Sequence, residues 1–392
     1  MKRVLMVLER DFPTDVRVEN EISALLEEGI EVHLACFTFS NKAKTEKYNG
    51  YTIHRKRIGQ LVYKSSVGAL RVPTYFSFWK KHLKSICKEI DFDAIHVHDL
   101  PLAKPVLAIA KQFSLKSILD LHENWPYHLM ETAHTKKKLA KLLHKDQEWL
   151  DYEKEYVSQY DSVITVVDEM KQRIEKLGAN NVSVYQNVPD LKHFNLSPVQ
   201  ARKNDDINRF IYVGGINENR GLQFALEGFA SICEKHSNTS FEIVGQGAYL
   251  TYLKYLVKHL GISDKVQFHG WKKQQEAYEM IKAADICVIP HLKSIQTDCS
   301  SPNKLFQYYI QKKPVISSNC ESIERVIQET QGGKVFEDRS SESFAITALE
   351  YLNQPEQIEL DGLHGFEAVK NKFNLDIEKT NLIESYRNMN LC

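Results

Sequence analysis

The chain lacks five features, and each absence removes a class of protein. No apolar run approaches the roughly 18 residues that a membrane-spanning helix needs. The seven cysteines are scattered, and none falls in C-x-x-C spacing. That argues against a disulfide framework or a zinc site and fits a reducing compartment. Lysine and arginine together number 51, as do aspartate and glutamate, so no net charge draws the chain to nucleic acid. The opening MKRVLMVLERDF has a basic flank, but Glu9-Arg10-Asp11 cuts its apolar run short. It reads as a first buried strand and not as a signal peptide, so a cytoplasmic protein is expected. The loop that follows has no G-x-G-x-x-G, so a dinucleotide-binding fingerprint is absent where it would belong.

At 392 residues the chain is too long for one comfortable core, and two domains are expected. Residues 4–8 read as a strand. Residues 16–28 read as a helix with Val18, Ile22, Leu25 and Leu26 on its apolar side, closed by Gly29, and residues 30–36 read as a second strand. Arg17, near the start of that helix, either meets an anion or forms a surface salt bridge to Glu21 at i+4. Residues 92–97 and 117–121 read as strands ending in His98-Asp99 and His122-Glu123. Ligands of open α/β sheets sit beyond the carboxyl ends of strands. These four residues are therefore candidates for hydrogen bonding to a hydroxylated substrate, alongside a structural role for the histidines. A metal reading has no fixed third ligand.

Two stretches are basic and contain no acid. Residues 71–88 carry Tyr75, Phe76, Phe78 and Trp79 among their cations, and residues 136–145 carry Leu139, Leu142 and Leu143. Each is either an ordinary helix with a solvated basic face or a surface that meets anionic lipid or a phosphate-bearing acceptor. The polar stretch 195–209 is the best boundary. It divides the chain into domains 1–195 and 196–375, with 376–392 as a final helix.

Beyond the boundary, three strands end in glycine turns: Gly214-Gly215, Gly245-Gln246-Gly247 and Gly270-Trp271. Arg220 stands at the mouth of the next helix. Glycine lets backbone approach a ligand, and a helix amino end favours an anion. The same pattern, repeated on one rim, is a nucleotide or anion signal. Residues 285–318 then read as strand 286–289, polar loop 291–301, helix 303–311 and a strand after Pro314. Ser301 is placed as the N-cap, with Pro302 at the first helical position. Taken alone, this stretch is an ordinary crossover of a parallel sheet with an anion-friendly helix end.

VRVENEISALLEEGIEVHLA, YVGGINENRG, FEIVGQGAYL, VQFHGW, AADICVIP and SPNKLFQYYIQKKPVI, in that order, resemble the retaining GT-B glycosyltransferases of family 4. The last segment is similar to the SPNKLFEY-type branch. The resemblance covers nearly the whole chain. It implies an α/β GT-B fold of two Rossmann-like domains facing a central cleft, with the tail helix packing back on the first domain. It also implies that Arg220 binds a donor diphosphate, and that His122 is the first-domain histidine found after a strand. A second arginine common in the family is replaced here by Gly215. The family's two glutamates, with seven residues between them, fall on or near Cys299 and on Gln307, with Asp298 adjacent.

The resemblance makes a nucleotide-sugar, UDP- or GDP-linked, the transient donor, with no permanently bound cofactor and no metal. Gly214, Gly215, Arg220, Gly245, Gly247, Gly270, Trp271, Ser301, Asn303, Lys304, Leu305 and Gln307 are the expected donor contacts. His122, Arg220 and Lys304 are the expected catalytic groups, and Arg17, His98, Asp99, His122 and Glu123 the acceptor side. The acceptor is expected to be a glycan or a lipid-linked sugar of envelope polysaccharide synthesis. The enzyme would be cytoplasmic or peripheral on the inner membrane face. Three alternatives stay open: a non-catalytic partner of another transferase, a sugar-nucleotide epimerase or hydrolase of the same fold, and, least favoured, a dehydrogenase. Donor base, sugar, linkage and oligomeric state are not set by the sequence.

Overall fold

The computed structural model describes residues 1–13, 15–131, 146–194, 207–300 and 303–392. The basic stretch 136–145, most of the boundary stretch, and the Ser301-Pro302 cap lie outside the described residues. The chain forms two compact units. One comprises Met1–Gln186 with Asp376–Cys392, and the other comprises Asn187–Leu375.

The first unit contains β1 (Arg3–Leu8), β2 (Glu31–Thr38), β3 (Thr45–Tyr48), β4 (Tyr51–Arg57), β5 (Ala94–His98), β6 (Lys116–Leu121), β7 (Ser162–Thr165) and β8 (Val182–Val184). They form one sheet in the order β3-β4-β2-β1-β5-β6-β7-β8, parallel except for the β3–β4 pair. β1 is a continuous apolar run from Val4 to Leu8, and β5 is buried throughout, His96 and His98 included, because both faces of each strand are covered. The helix Val16–Glu27 starts on Asp15, whose side chain accepts from the Val18 N–H, and ends at Gly29 with φ +76°. The tail helix Leu375–Arg387 belongs largely to this unit and buries Leu382, Ile383 and Tyr386. Ser385 Oγ donates to Ser183 Oγ at 2.8 Å.

The second unit contains β9 (Asn208–Val213), β10 (Thr239–Val244), β11 (Val266–Gly270), β12 (Ile286–Ile289), β13 (Val315–Ser318) and β14 (Gly333–Phe336), in the order β11-β10-β9-β12-β13-β14. All of its recorded pairings are parallel. The polar loop expected after β12 contains a short helix, Ile295–Asp298, which Ser294 and Thr297 hold by reciprocal bonds. Residues 355–371 gave no clear signal in the sequence. They form the helix Pro355–Asn371, in which Gly362 and Gly365 face the Lys312 carbonyl and the Tyr309 ring closely enough to leave no room for a Cβ.

In each sheet the strand order reverses beside one strand, β1 in the first unit and β9 in the second. Crevices open at such switch points beyond the carboxyl ends of the strands. The sequence-expected site residues cluster at these two places. Among the described residues no helix is long and apolar enough to cross a membrane.

Candidate functional site

In the second unit the chemistry sits after β9 and β12. Tyr212, near the end of β9, donates its hydroxyl to the Gly215 carbonyl at 2.7 Å and so holds the glycine turn. The Val213 N–H donates to the Tyr308 hydroxyl at 3.0 Å, which ties the turn to the helix Asn303–Ile310. The three glycine turns lie side by side, the Gly245 N–H donating to the Gly270 carbonyl at 2.8 Å. A Cβ on Gly245 would lie 1.8 Å from the Gly214 oxygen, and one on Gly221 would lie 1.7 Å from the Pro290 oxygen. Here glycine is needed for backbone-to-backbone approach as well as for ligand access.

Three basic side chains converge beside these turns. Arg220 Nη1 lies 3.2 Å from His291 Nε2, and Lys304 Nζ lies 3.4 Å from the same nitrogen. Lys304 also donates to the Tyr212 hydroxyl at 3.3 Å and stands 4.4 Å from the centre of that ring. Because both neighbours of Nε2 are donors, His291 accepts there and carries its proton on Nδ1. Burial, with Lys304 and Arg220 beside it, keeps the imidazole well below its ordinary pKa and therefore neutral. Burial and the Arg220 charge also push Lys304 well below its ordinary value. Arg220 Nε is buried without a hydrogen-bond partner. Arg220 and Lys304 flank a neutral histidine, neither forms an ion pair with a carboxylate among the described residues, and together they form a receptor for a dense anion.

His291 went unrecognised in the sequence, although it is the first residue of the polar loop after a buried strand. The donor candidates separate by placement. Gly214, Arg220 and Lys304 converge. Gly215, Gly247, Asn303 and Trp271 are exposed, and Gly245, Gly270 and Gln307 keep some exposure. Leu305 is corrected: its side chain is fully buried in the core, leaving only backbone for a ligand. Ser301 lies outside the described residues. Asp298 cannot stand in for the missing glutamate without giving up its present bonds. Its Oδ1 accepts from Lys293 Nζ at 3.1 Å and from the Glu321 N–H at 2.9 Å, capping the helix Glu321–Thr330.

In the first unit Arg17 is corrected. It is buried and makes no surface salt bridge, although Glu21 is one of its partners at 3.1 Å. Its Nη2 and Nε reach the two oxygens of Asp120 at 2.7 and 3.1 Å, and Nη1 donates to the Tyr185 carbonyl at 2.7 Å. The anion that Arg17 meets is internal. Asp120, a lone acid within an apolar strand, was the signal for it. His98 is likewise fully buried, so its expected contact with an acceptor is withdrawn; Asp120 Oδ2 lies 3.3 Å from its Nδ1.

His122 stands at the accessible edge of this cluster. Its Nε2 is 2.8 Å from Asp120 Oδ2, and its Nδ1 is 3.8 Å from Asp99 Oδ2. Asp99 reaches that position with φ +69°, a left-handed backbone unusual outside glycine and frequent at functional sites. Burial opposes a charge on His122, but Asp99 and Asp120 outweigh it and raise the imidazole to about 9. Glu123 is 3.1 Å from His128. Glu21, His96, His98 and Asp120 bring potential metal-ligating atoms within 4.8 Å of one another, which supplies the ligands a sequence-based metal reading lacked. The Arg17 guanidinium already serves both carboxylates as the cation of this cluster.

Two family models match consecutive halves of the chain. Glycosyltransferase Family 4 matches residues 15–193, and Glycosyl transferases group 1 matches residues 194–360. The chain belongs to the GT-B glycosyltransferases. A putative colanic acid biosynthesis glycosyltransferase, WcaL of Escherichia coli, is 23% identical over 188 residues, 47% of this chain and 46% of that one. An uncharacterised glycosyltransferase of Methanocaldococcus jannaschii is 27% identical over 162 residues, 38% of this chain and 41% of that one. The matched region thus spans somewhat under half the length of these curated relatives. Sucrose-phosphate synthase from Thermosynechococcus elongatus shares the fold with a TM-score of 0.76 at 16% identity, covering 99% of each chain. Anabaena HepE, crystallised with UDP, has a TM-score of 0.69 at 11% identity, covering 99% of this chain and 100% of that one. For this glycosyltransferase such distant likenesses show the fold.

Proposed function

We propose that the chain transfers a sugar, with retention at the anomeric carbon, from a nucleotide-sugar to a hydroxyl of a glycan or lipid-linked acceptor in envelope polysaccharide synthesis. The observation that carries this reading is the Arg220–His291–Lys304 trio beside three adjacent glycine turns. As the glycosidic bond breaks, negative charge grows on the leaving diphosphate. Preorganised donors aimed at that charge stabilise the transition state more than the ground state. Arg220 and Lys304 supply those donors. His291, neutral and accepting from both, orients them without cancelling their charge. A diphosphate held by two cations needs no metal.

A UDP-linked donor is favoured, since HepE of the same fold was crystallised with UDP and with UDP-glucose; a GDP-linked donor is the alternative. Trp271, exposed beside Gly270, offers a face for the base. His122, held protonated, acts as a charged hydrogen-bond donor and not as a base. This agrees with a retaining reaction in which the departing phosphate oxygen takes the acceptor proton. Gln307, where the SPNKLFEY-type branch has glutamate, bonds to sugar hydroxyls without charge. The basic helix Thr74–Glu89 buries Tyr75, Phe76 and Trp79 and leaves Lys81, Lys84 and Lys88 in solvent. That face suits peripheral attachment to the anionic inner leaflet, where each cation contributes about 1 kcal/mol.

Gln307 and Cys299 in place of two carboxylates favour a second reading, a transferase-like partner subunit that binds a donor without turning it over. A panel of nucleotide-sugars with mass detection, with and without glycan acceptors, separates the readings. Sugar transfer from one donor supports the enzyme. Tight binding without product supports the partner subunit. Conversion of donor alone would indicate an epimerase or hydrolase.

A further inference from the structure

The first unit has a second cationic concavity that the transferase reading does not use. A cavity of about 510 Å³ lies between β4, the helix Thr74–Glu89 and the segment that follows β2, with Lys44, His54, Lys56, Arg57, His82 and Ser85 in its lining. Glu89 is the single acid among its lining residues. Two other cations there are already matched: Lys42 with Asp11, and Arg55 with Glu46. Lys44, Lys56 and Arg57 form no ion pair among the described residues.

The charge in this cavity is fixed by its surroundings. The Lys56 ammonium lies 5.1 Å from the centre of the Phe78 ring, and burial together with the like charge of Lys81 lowers its pKa. His82 is buried and lies 3.2 Å from the His54 carbonyl, while His54 Nε2 lies 2.8 Å from His33 Nδ1. Burial takes both His54 and His82 down to about 4, so they line the cavity as neutral groups. Lys44, Lys56 and Arg57 in one cavity, alongside Ser40, Thr45 and Ser85 hydroxyls, match a small, multiply charged oxyanion. Beside the lining residue Ser40 stands Phe39, 5.1 Å from Tyr63 in ring contact, and Leu61 nearby in sequence is 85% exposed.

We propose that this cavity binds a phosphoryl group, either on a free sugar phosphate or on a lipid whose chain lies along Phe39, Tyr63 and Leu61. The proposal does not depend on sugar transfer. Its test is made in the Arg220→Ala background, so that the second unit's cation trio does not contribute. Two probes are used: glucose 1-phosphate by calorimetry, and co-sedimentation with phosphatidylcholine vesicles with and without phosphatidic acid. The expected result is binding of one or both probes, weakened about tenfold in Lys56→Gln/Arg57→Gln, the scale of one or two lost charge-assisted bonds. The control Lys235→Gln/Lys258→Gln, which removes the same charge from exposed sites in the second unit, is expected to bind like its parent. Binding in solution identifies a free sugar phosphate; binding only to phosphatidic acid vesicles identifies a lipid headgroup. The proposal is overturned if neither probe binds, or if the two double variants weaken binding alike.

Discussion

A Cβ on Gly214 would lie 2.6 Å from Lys304 Nζ, so the glycine leaves the space that the ammonium fills. Its φ of +152° adds a backbone preference for glycine. Gly214→Ala should therefore move the flexible lysine end without unfolding the unit, costing about 1 kcal/mol of stability. Donor affinity should fall about tenfold. Calorimetry with UDP and a denaturant titration measure the two quantities; a large stability loss with unchanged affinity would place Gly214 in the scaffold alone.

Lys304 lies well below its ordinary pKa in the free protein because burial and Arg220 oppose its charge. A bound diphosphate reverses that balance and raises it. Binding should then take up protons, and affinity should weaken as pH rises. Calorimetry in buffers of different ionisation enthalpy reads the uptake directly. Lys304→Ala should abolish it, while identical heats in all buffers would contradict this role.

His122 is held protonated by Asp99 and Asp120 up to about pH 9. If the charged form is required, turnover should hold through neutral pH and be lost as pH rises through about 9. His122→Asn should flatten that limb and lower the rate by about a hundredfold, the low end for a group acting in the transition state. A rate that rises with pH between 6 and 8 would instead indicate a neutral base.

Arg17 and Asp120 form the buried ion pair beneath His122. Asp120→Ala leaves the guanidinium without its main partner and should cost about 3–5 kcal/mol. Urea unfolding tests this; a loss below about 1 kcal/mol would mean that water replaces the carboxylate. The tail helix adds a pH-dependent term. Burial raises Glu378, which accepts from the Gln186 N–H, to about 7. A carboxyl raised on folding stabilises below its unfolded value, and that contribution fades as pH rises through about 7. Glu378→Gln should therefore gain stability relative to the parent at pH 8 and show little difference at pH 4.

Much of the fold was legible because its strands are short apolar runs punctuated by glycine, as in β9 with Gly214 and β10 with Gly245. The helix Pro355–Asn371 was not, because Gly362 and Gly365 weaken local propensity and serve contacts with residues 309 and 312 that only the folded chain brings near. In the site, Arg220 and Lys304 could be read from turns and a resemblance. His291 could not, because its role comes from strand order: β9 and β12 are adjacent in the sheet yet far apart in sequence. Arg17 and His98 were misplaced for the same reason. Local spacing puts Glu21 one helical turn from Arg17, but only the parallel sheet puts Asp120 against both Arg17 and His98.

The proposed binding of a donor diphosphate by Arg220 and its neighbours is tested most directly by sugar transfer by Arg220→Ala with the donor that the parent uses. The expected result is a folded protein, with unchanged circular dichroism and unfolding midpoint, whose transfer rate falls at least a hundredfold, the scale set by removing one preorganised donor from a developing anion. Transfer at the parental rate by that folded variant would contradict it.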